Sequence, residues 1–166
     1  MNSTGTEDRL AELGIELPET PAPIGSYTPT QLVGNLLYTS GVLPMRDGEI
    51  AYSGVVGAGM TVGEASEAAR LCALNILAMV RQATGSLDAV EQVVQLTGFV
   101  RSAPGFAQQP KVLNGASDLL FAVFGDRGRH ARMALGTTEL PLGAAVELSA
   151  IIRVNGTAVD PGPQAA

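Results

Sequence analysis

The chain is short of the residues that most often announce chemistry. Its 166 residues include one cysteine, Cys72, and one histidine, His130. A single cysteine excludes a disulfide within the chain and suits a reducing compartment. A single histidine, with no Cys/His cluster, excludes a zinc-type metal site, so no metal is expected. Tryptophan is absent and aromatic residues make up only 4%, too few for a base-stacking strip on an RNA-binding surface. Charge is scarce as well, at 16% against the usual quarter. The net charge of −6 is the wrong sign for phosphate binding. No apolar run reaches the length of a membrane span. The opening "MNSTGTEDRLAEL" does not read as a signal peptide. These absences point to a cytoplasmic protein that binds neither nucleic acid nor membrane.

What is present suffices for one domain with a proper core, since 46% of residues are apolar. A surface this poor in charge is often covered by copies of itself, so self-association is expected. Residues 1–20 form an N-terminal extension, 21–154 the domain, and 155–166 a loose tail. Met1 to Glu7 look disordered. "EDRLAELGIEL" fits a short helix ended by Gly14 and Pro18, and "PETPAPIG" cannot be helical.

Within the domain "YTPTQLV", Gly34-Asn35 and "LLYTSGVL" read as two strands and a tight turn. Asp47-Gly48 marks another turn, before a short strand at Ile50 to Tyr52. The clearest helix follows. Thr61 caps it, with Glu64 completing a capping box. Ala65, Ala68, Cys72, Ile76, Met79 and Val80 recur at helical spacing, and Gly85 is its stop. Cys72 lies inside that stripe and reads as core filler rather than a nucleophile. "VEQVVQLTGFVR" fits a strand. A second helix opens near Pro110 and buries Val112, Leu113, Ala116, Leu119, Leu120, Val123 and Phe124. Two strands close the domain, Arg132 to Thr138 and Ala144 to Val154. The order ββ(β)αβαββ predicts an α+β fold, a sheet with both helices on one face.

The last two strands are expected to pair as an antiparallel hairpin around a four-residue loop, Glu139 to Leu142. Putting apolar faces together sets Leu135 beside Val146 or Leu148. Arg132 and Glu147 then become diagonal neighbours on one side, roughly 7–8 Å apart at the backbone. The pair fits either a pocket or an ordinary cross-strand ion pair on a solvated face. Arg127, Arg129, His130 and Arg132 form a local basic knot, which reads as a solvated turn plus one special residue.

Three segments carry a family resemblance. "APIGSYTPTQLVGNLLYTSGVLP", "EASEAARLCALNILAMV" and "ARMALGTTELPLGAAVELSAI" resemble, in order and at compatible spacing, the N-terminal signature, first helix and C-terminal signature of the RidA/YjgF reactive-intermediate deaminases. "VLNGASDLLFAVFGDRGRHAR" resembles a longer subgroup labelled L-PSP endoribonuclease-like. The resemblance spans about Pro21 to Val154. It implies a chorismate-mutase-like mixed sheet with two helices on one face and a homotrimer with clefts between subunits. It also implies hydrolysis of 2-imino acids such as 2-aminoacrylate to 2-keto acids and ammonia, with no cofactor.

Residue by residue, Arg132 matches the family's carboxylate-binding arginine and Glu147 its pocket glutamate. Tyr27, Ser40 with Gly41, and Asn114 match the tyrosine, the Ser-Gly pair and the asparagine. Each of Tyr27, Ser40 and Asn114 also fits a plain structural role. The family's proline before the tyrosine is Ser26 here, its glutamine after Ser-Gly is Val42, and a frequent cysteine is Ala134. These departures bear on substrate choice.

The chemistry expected of these residues is simple. An arginine fork grips a carboxylate with two parallel hydrogen bonds. Glu147 would orient the attacking water or relay a proton. Backbone groups near Gly41 and Ala134 would hold water or substrate, and Tyr27 would close the cleft. The competing expectations are a non-catalytic module binding 2-keto acid-like ligands, an endoribonuclease and, from fold analogy alone, chorismate mutase chemistry.

Overall fold

The computed structural model describes residues 5–20 and 25–156. Its elements are α1 (Thr6–Glu12), β1 (Thr30–Val33), β2 (Leu36–Thr39), β3 (Met45–Arg46), β4 (Glu49–Ile50), β5 (Val55–Val56), β6 (Gly59–Met60), α2 (Val62–Thr84), β7 (Val90–Arg101), α3 (Gln109–Phe124), β8 (Ala131–Thr137) and β9 (Val146–Val154). Three short 3-10 turns join the later elements. The expected α+β architecture is present. A five-stranded mixed sheet has the order β1-β2-β9-β7-β8, and α2 and α3 pack against it and each other.

Local chemistry explains the long helix. The Thr61 hydroxyl accepts from the Glu64 amide, and the Glu64 carboxylate accepts from the Thr61 amide at 2.8 Å. The two bonds satisfy amide donors that a helix start leaves unpaired. The Thr61 amide and, secondarily, the Thr61 hydroxyl, both donating to the Glu64 carboxylate, hold that carboxyl below its usual range. Gly85 ends the helix at φ 80°, a left-handed conformation that costs glycine little. Between these ends, small residues let the two helices touch. Ala65, Ala68, Ala69, Cys72 and Ala73 are fully buried. A Cβ on Gly115 of α3 would run into the Ser66 carbonyl. Cys72 is core filler, and its burial pushes the thiol up, helped by the charge of Glu147.

The second helix runs where its apolar pattern predicts, and all seven expected core residues are buried. A Cβ on Gly98 of β7 would collide with Leu113, so α3 lies directly on the middle of the sheet. That contact fixes how close α3 lies to β7.

The expected final hairpin is not formed. β7 lies between β8 and β9, parallel to β8 and antiparallel to β9. β7, α3 and β8 therefore form a strand–helix–strand crossover, the connection that parallel neighbours require. The link from β8 to β9 passes over the end of β7 and is longer than the four residues expected.

The large apolar residues of β8 do not face the core. Met133 and Leu135 are not core residues, and both are exposed. The β8 positions beneath α3 are Arg132, Ala134 and Gly136, paired with Leu96, Gly98 and Val100. Glu147 pairs with Phe99, and Phe99 with Leu135. Residues directly opposite in a ladder share a face. Arg132 thus lies on the helix face and Glu147 on the open face, where the expected register had put them together.

The N-terminal expectation also needs correction. Thr6 and Glu7 belong to a helix, whereas Met1 to Thr4 lie outside the described residues. Leu10 is buried in the main core. The Asp88 carboxylate accepts from the Thr6 amide, and the Glu7 carboxylate pairs with Arg81, so the extension is docked onto the domain. Of the expected loose tail, residues 157–166 lie outside the described residues, as do residues 21–24 of the Pro-rich lead-in.

Candidate functional site

Arg132 emerges from the edge strand and folds its side chain onto α3. One guanidinium nitrogen, Nη1, donates to Asn114 Oδ1 and Ser117 Oγ, both at 3.0 Å. The other, Nη2, donates to the Pro110 carbonyl at 3.2 Å. Asn114 and Ser117 are three apart on the helix and so share a face. Of the five N–H donors on the group, three are committed to α3. The Nε–H and one Nη2–H are not, and Arg132 is in none of the ion pairs among the described residues. The result is an oriented cation with donors to spare.

The rest of the basic knot is spoken for. Arg127 donates to the Val90 carbonyl at 2.6 Å and to the Thr6 hydroxyl at 3.0 Å. Arg129 pairs with Asp126 and stacks 4.6 Å over the Phe121 ring. His130 is half-buried beside α3, with Nε2 3.0 Å from Ser117 Oγ and Nδ1 2.6 Å from the Gly128 carbonyl. Burial lowers its pKa, the Arg132 charge adds to that, and the Gly128 carbonyl opposes it.

A second cluster sits on the open face. Val42 bridges Leu148 of β9, with backbone hydrogen bonds of 2.7 and 3.0 Å in the two directions. Gly41, one residue earlier, lies against the Glu147 side chain so closely that a Cβ there would overlap the carboxylate. Ser40 donates its amide to the Pro29 carbonyl at 2.9 Å and holds the strand end in place. Glu147 is half-buried and in none of the ion pairs among the described residues. Desolvation alone raises its pKa. A carboxyl in this state can hold or pass on a proton closer to neutrality.

The structure therefore brings together Arg132 and Asn114, with Ala134 next on the same face, and separately Glu147, Gly41 and Ser40. Tyr27 stands largely exposed before β1, at the sheet edge opposite Arg132. Ser117 and His130 were not expected to contact Arg132. The signal was available: Ser117 follows Asn114 by one helical turn, and His130 precedes Arg132 by two residues on an extended strand entry. Among the described residues no group of His, Cys, Asp and Glu could hold a metal ion, and no helix is long and apolar enough to cross a membrane.

The model of one family matches residues 7–152, under the description YjgF/chorismate mutase-like with a provisional endoribonuclease label. The chain belongs to that family. Protein TCP17 of Trypanosoma cruzi is 46% identical over 147 residues, 88% of this chain and 92% of its own. A RutC family protein of Pyrococcus abyssi is 27% identical over 144 residues, 86% and 97% of the two chains. Among solved structures, Atu1372 of Agrobacterium tumefaciens, a protein of unknown function, superposes with TM-score 0.83 at 48% identity over 90% of this chain and 92% of its own. Membership of the YjgF/chorismate mutase-like family accounts for the mixed sheet and one-sided helices described above.

Proposed function

We propose that this protein hydrolyses reactive 2-imino acids, such as 2-aminoacrylate, to 2-keto acids and ammonia. The carrying observation is Arg132, whose guanidinium is clamped by Asn114, Ser117 and the Pro110 carbonyl and keeps donors unspent. A preset fork recognises a carboxylate with little ordering cost.

The second component is Glu147, whose desolvated carboxyl would orient the attacking water and return a proton to the imine nitrogen. Because the two lie on opposite faces of one sheet, one site needs two chains. We assign Arg132 and Asn114 to one chain, and Glu147, Ser40, Gly41 and Tyr27 to its neighbour, in a homotrimer. The open face supports such assembly, since Tyr38, Phe99, Met133 and Leu135 are exposed on it together.

The test couples an amino-acid oxidase or dehydratase to semicarbazide trapping. Wild-type protein should lower the trapped product, and Arg132→Ala should abolish the effect. Wild-type protein inert toward several imino acids sinks the proposal. Thermal stabilisation by 2-keto acids without turnover would leave a binding protein instead.

A further inference from the structure

A chain of hydrogen bonds runs inward from Arg132 to groups the imine chemistry does not use. Its first link is the Ser117 hydroxyl, which accepts from Nη1. Its second is His130 Nε2, 3.0 Å from the same oxygen. Its last is the Gly128 carbonyl, 2.6 Å from His130 Nδ1. A carbonyl can only accept, so Nδ1 carries the proton. The half-buried ring is neutral in the neutral pH range, because burial lowers its pKa from 6.5. In that tautomer Nε2 is an acceptor, and the Ser117 hydroxyl must donate to it. Its lone pairs are thereby turned toward the arginine.

Without that histidine a serine in mid-helix has another habit. It turns its proton back to the carbonyl four residues earlier, here Leu113. His130 competes with that rotamer. The position of the Gly128 carbonyl is fixed in turn, since a Cβ on Gly128 would overlap the Leu120 carbonyl of α3. The turn after α3 is pressed directly on the helix, and the ring is delivered at the right height.

We propose that His130 and Ser117 are positioning residues for Arg132, His130 accepting the hydrogen bond of the Ser117 hydroxyl so that Ser117 presents a lone pair to the guanidinium. This rests on the reading of Arg132 as the carboxylate receptor. A serine beside a histidine can also be a nucleophile with its base. Here Ser117 lies inside α3, whose backbone N–H groups are spent on the helix itself, so no oxyanion donors surround it. Its oxygen already accepts from a cation. The arrangement suits clamping better than attack.

Binding of 2-oxobutyrate to full-length protein, followed by calorimetry, tests the idea. Arg132→Ala must abolish binding; if it does not, the carboxylate reading itself has failed and this inference falls with it. Given that loss, Ser117→Ala should weaken binding about tenfold, the worth of one hydrogen bond to a charged group. Ser117→Thr keeps the hydroxyl and should stay within about twofold. His130→Ala should weaken binding several-fold, and His130→Ala combined with Ser117→Ala should be no worse than Ser117→Ala alone, because the histidine acts through the serine. Melting curves check that each variant is folded. The side-chain 15N spectrum of His130 gives a readout that packing would not mimic: Nδ1 protonated and Nε2 pyridine-like in wild type. The opposite tautomer, wild-type binding by Ser117→Ala, or additive losses in the double variant would each overturn the proposal.

Discussion

The two halves of the candidate site are built by opposite means. The arginine half is all hydrogen bonds: three donors of Arg132 are satisfied, and two helix side chains and one carbonyl hold it. In the glutamate half the key side chain has no such clamp: among the described residues Glu147 is in no ion pair. Glu147 is held by close contact with Gly41 and by partial burial, which raises its pKa. The contrast matches two different tasks. A receptor for a charged group gains from rigidity and a fixed fork, whereas a group that must accept and release a proton gains from an environment that does not commit it to one state.

The sharpest way to break this comparison is to separate the halves onto different chains. Arg132→Ala and Glu147→Gln should each be inactive in imine hydrolysis as homo-oligomers. Co-assembled in equal amounts, they should regain about a quarter of wild-type activity, since random mixing leaves that share of clefts with both intact residues. Activity that stays at zero in verified mixed oligomers would mean that one chain supplies both groups, contrary to the opposite faces seen here.

Gly41 sharpens the glutamate half. Gly41→Ala introduces a methyl where the carboxylate now lies. The expected loss of kcat is about 10- to 100-fold, less than the roughly 100- to 10,000-fold that a well-placed general base contributes, because the carboxylate is displaced rather than removed. The Kd for 2-keto acids should change little, because the arginine half is untouched. A large fall in affinity with kcat preserved would show that Gly41 serves binding instead.

Much of the fold was legible, and the reasons are local. Thr61 with Glu64, Gly85, and the apolar stripes of α2 and α3 each encode their element within a few residues. The sheet order is a different kind of information. Whether β9 pairs with β8 or β7 depends on segments far apart in sequence, and strand periodicity gives only the face. On β8 even the face misled. Met133 and Leu135 look like core residues, yet the positions beneath α3 hold Arg132, Ala134 and Gly136, small apart from the arginine, because the helix lies close. An exposed apolar face, with an arginine on the covered one, reverses the usual pattern. The candidate residues came from motif resemblance, which names positions but not their neighbours, so Ser117 stayed hidden in the second helix and His130 in a stretch read as a basic turn.

The smallest expected effect is on stability, and here the halves pull against each other. Folding raises the Glu147 pKa above its ordinary 4.5. Between that value and the raised one the native state binds more protons than the unfolded chain, so stability falls as pH rises. His130 works in reverse. Folding lowers its pKa from 6.5, the unfolded chain binds more protons just below that value, and stability is lost as pH falls through it. Glu147→Gln removes only the first contribution. Near pH 7 it should raise Tm by no more than about 2–4 °C, what roughly 1 kcal/mol yields in a chain this size, since a half-exposed carboxylate is well screened. The gain should vanish below about pH 4, where wild-type Glu147 is protonated in both states. Calorimetric melts of the two proteins from pH 3.5 to 7.5 decide it. A variant less stable than wild type near neutrality would mean that the charge on Glu147 is compensated in the assembled protein, and that the glutamate half is as firmly bonded as its counterpart.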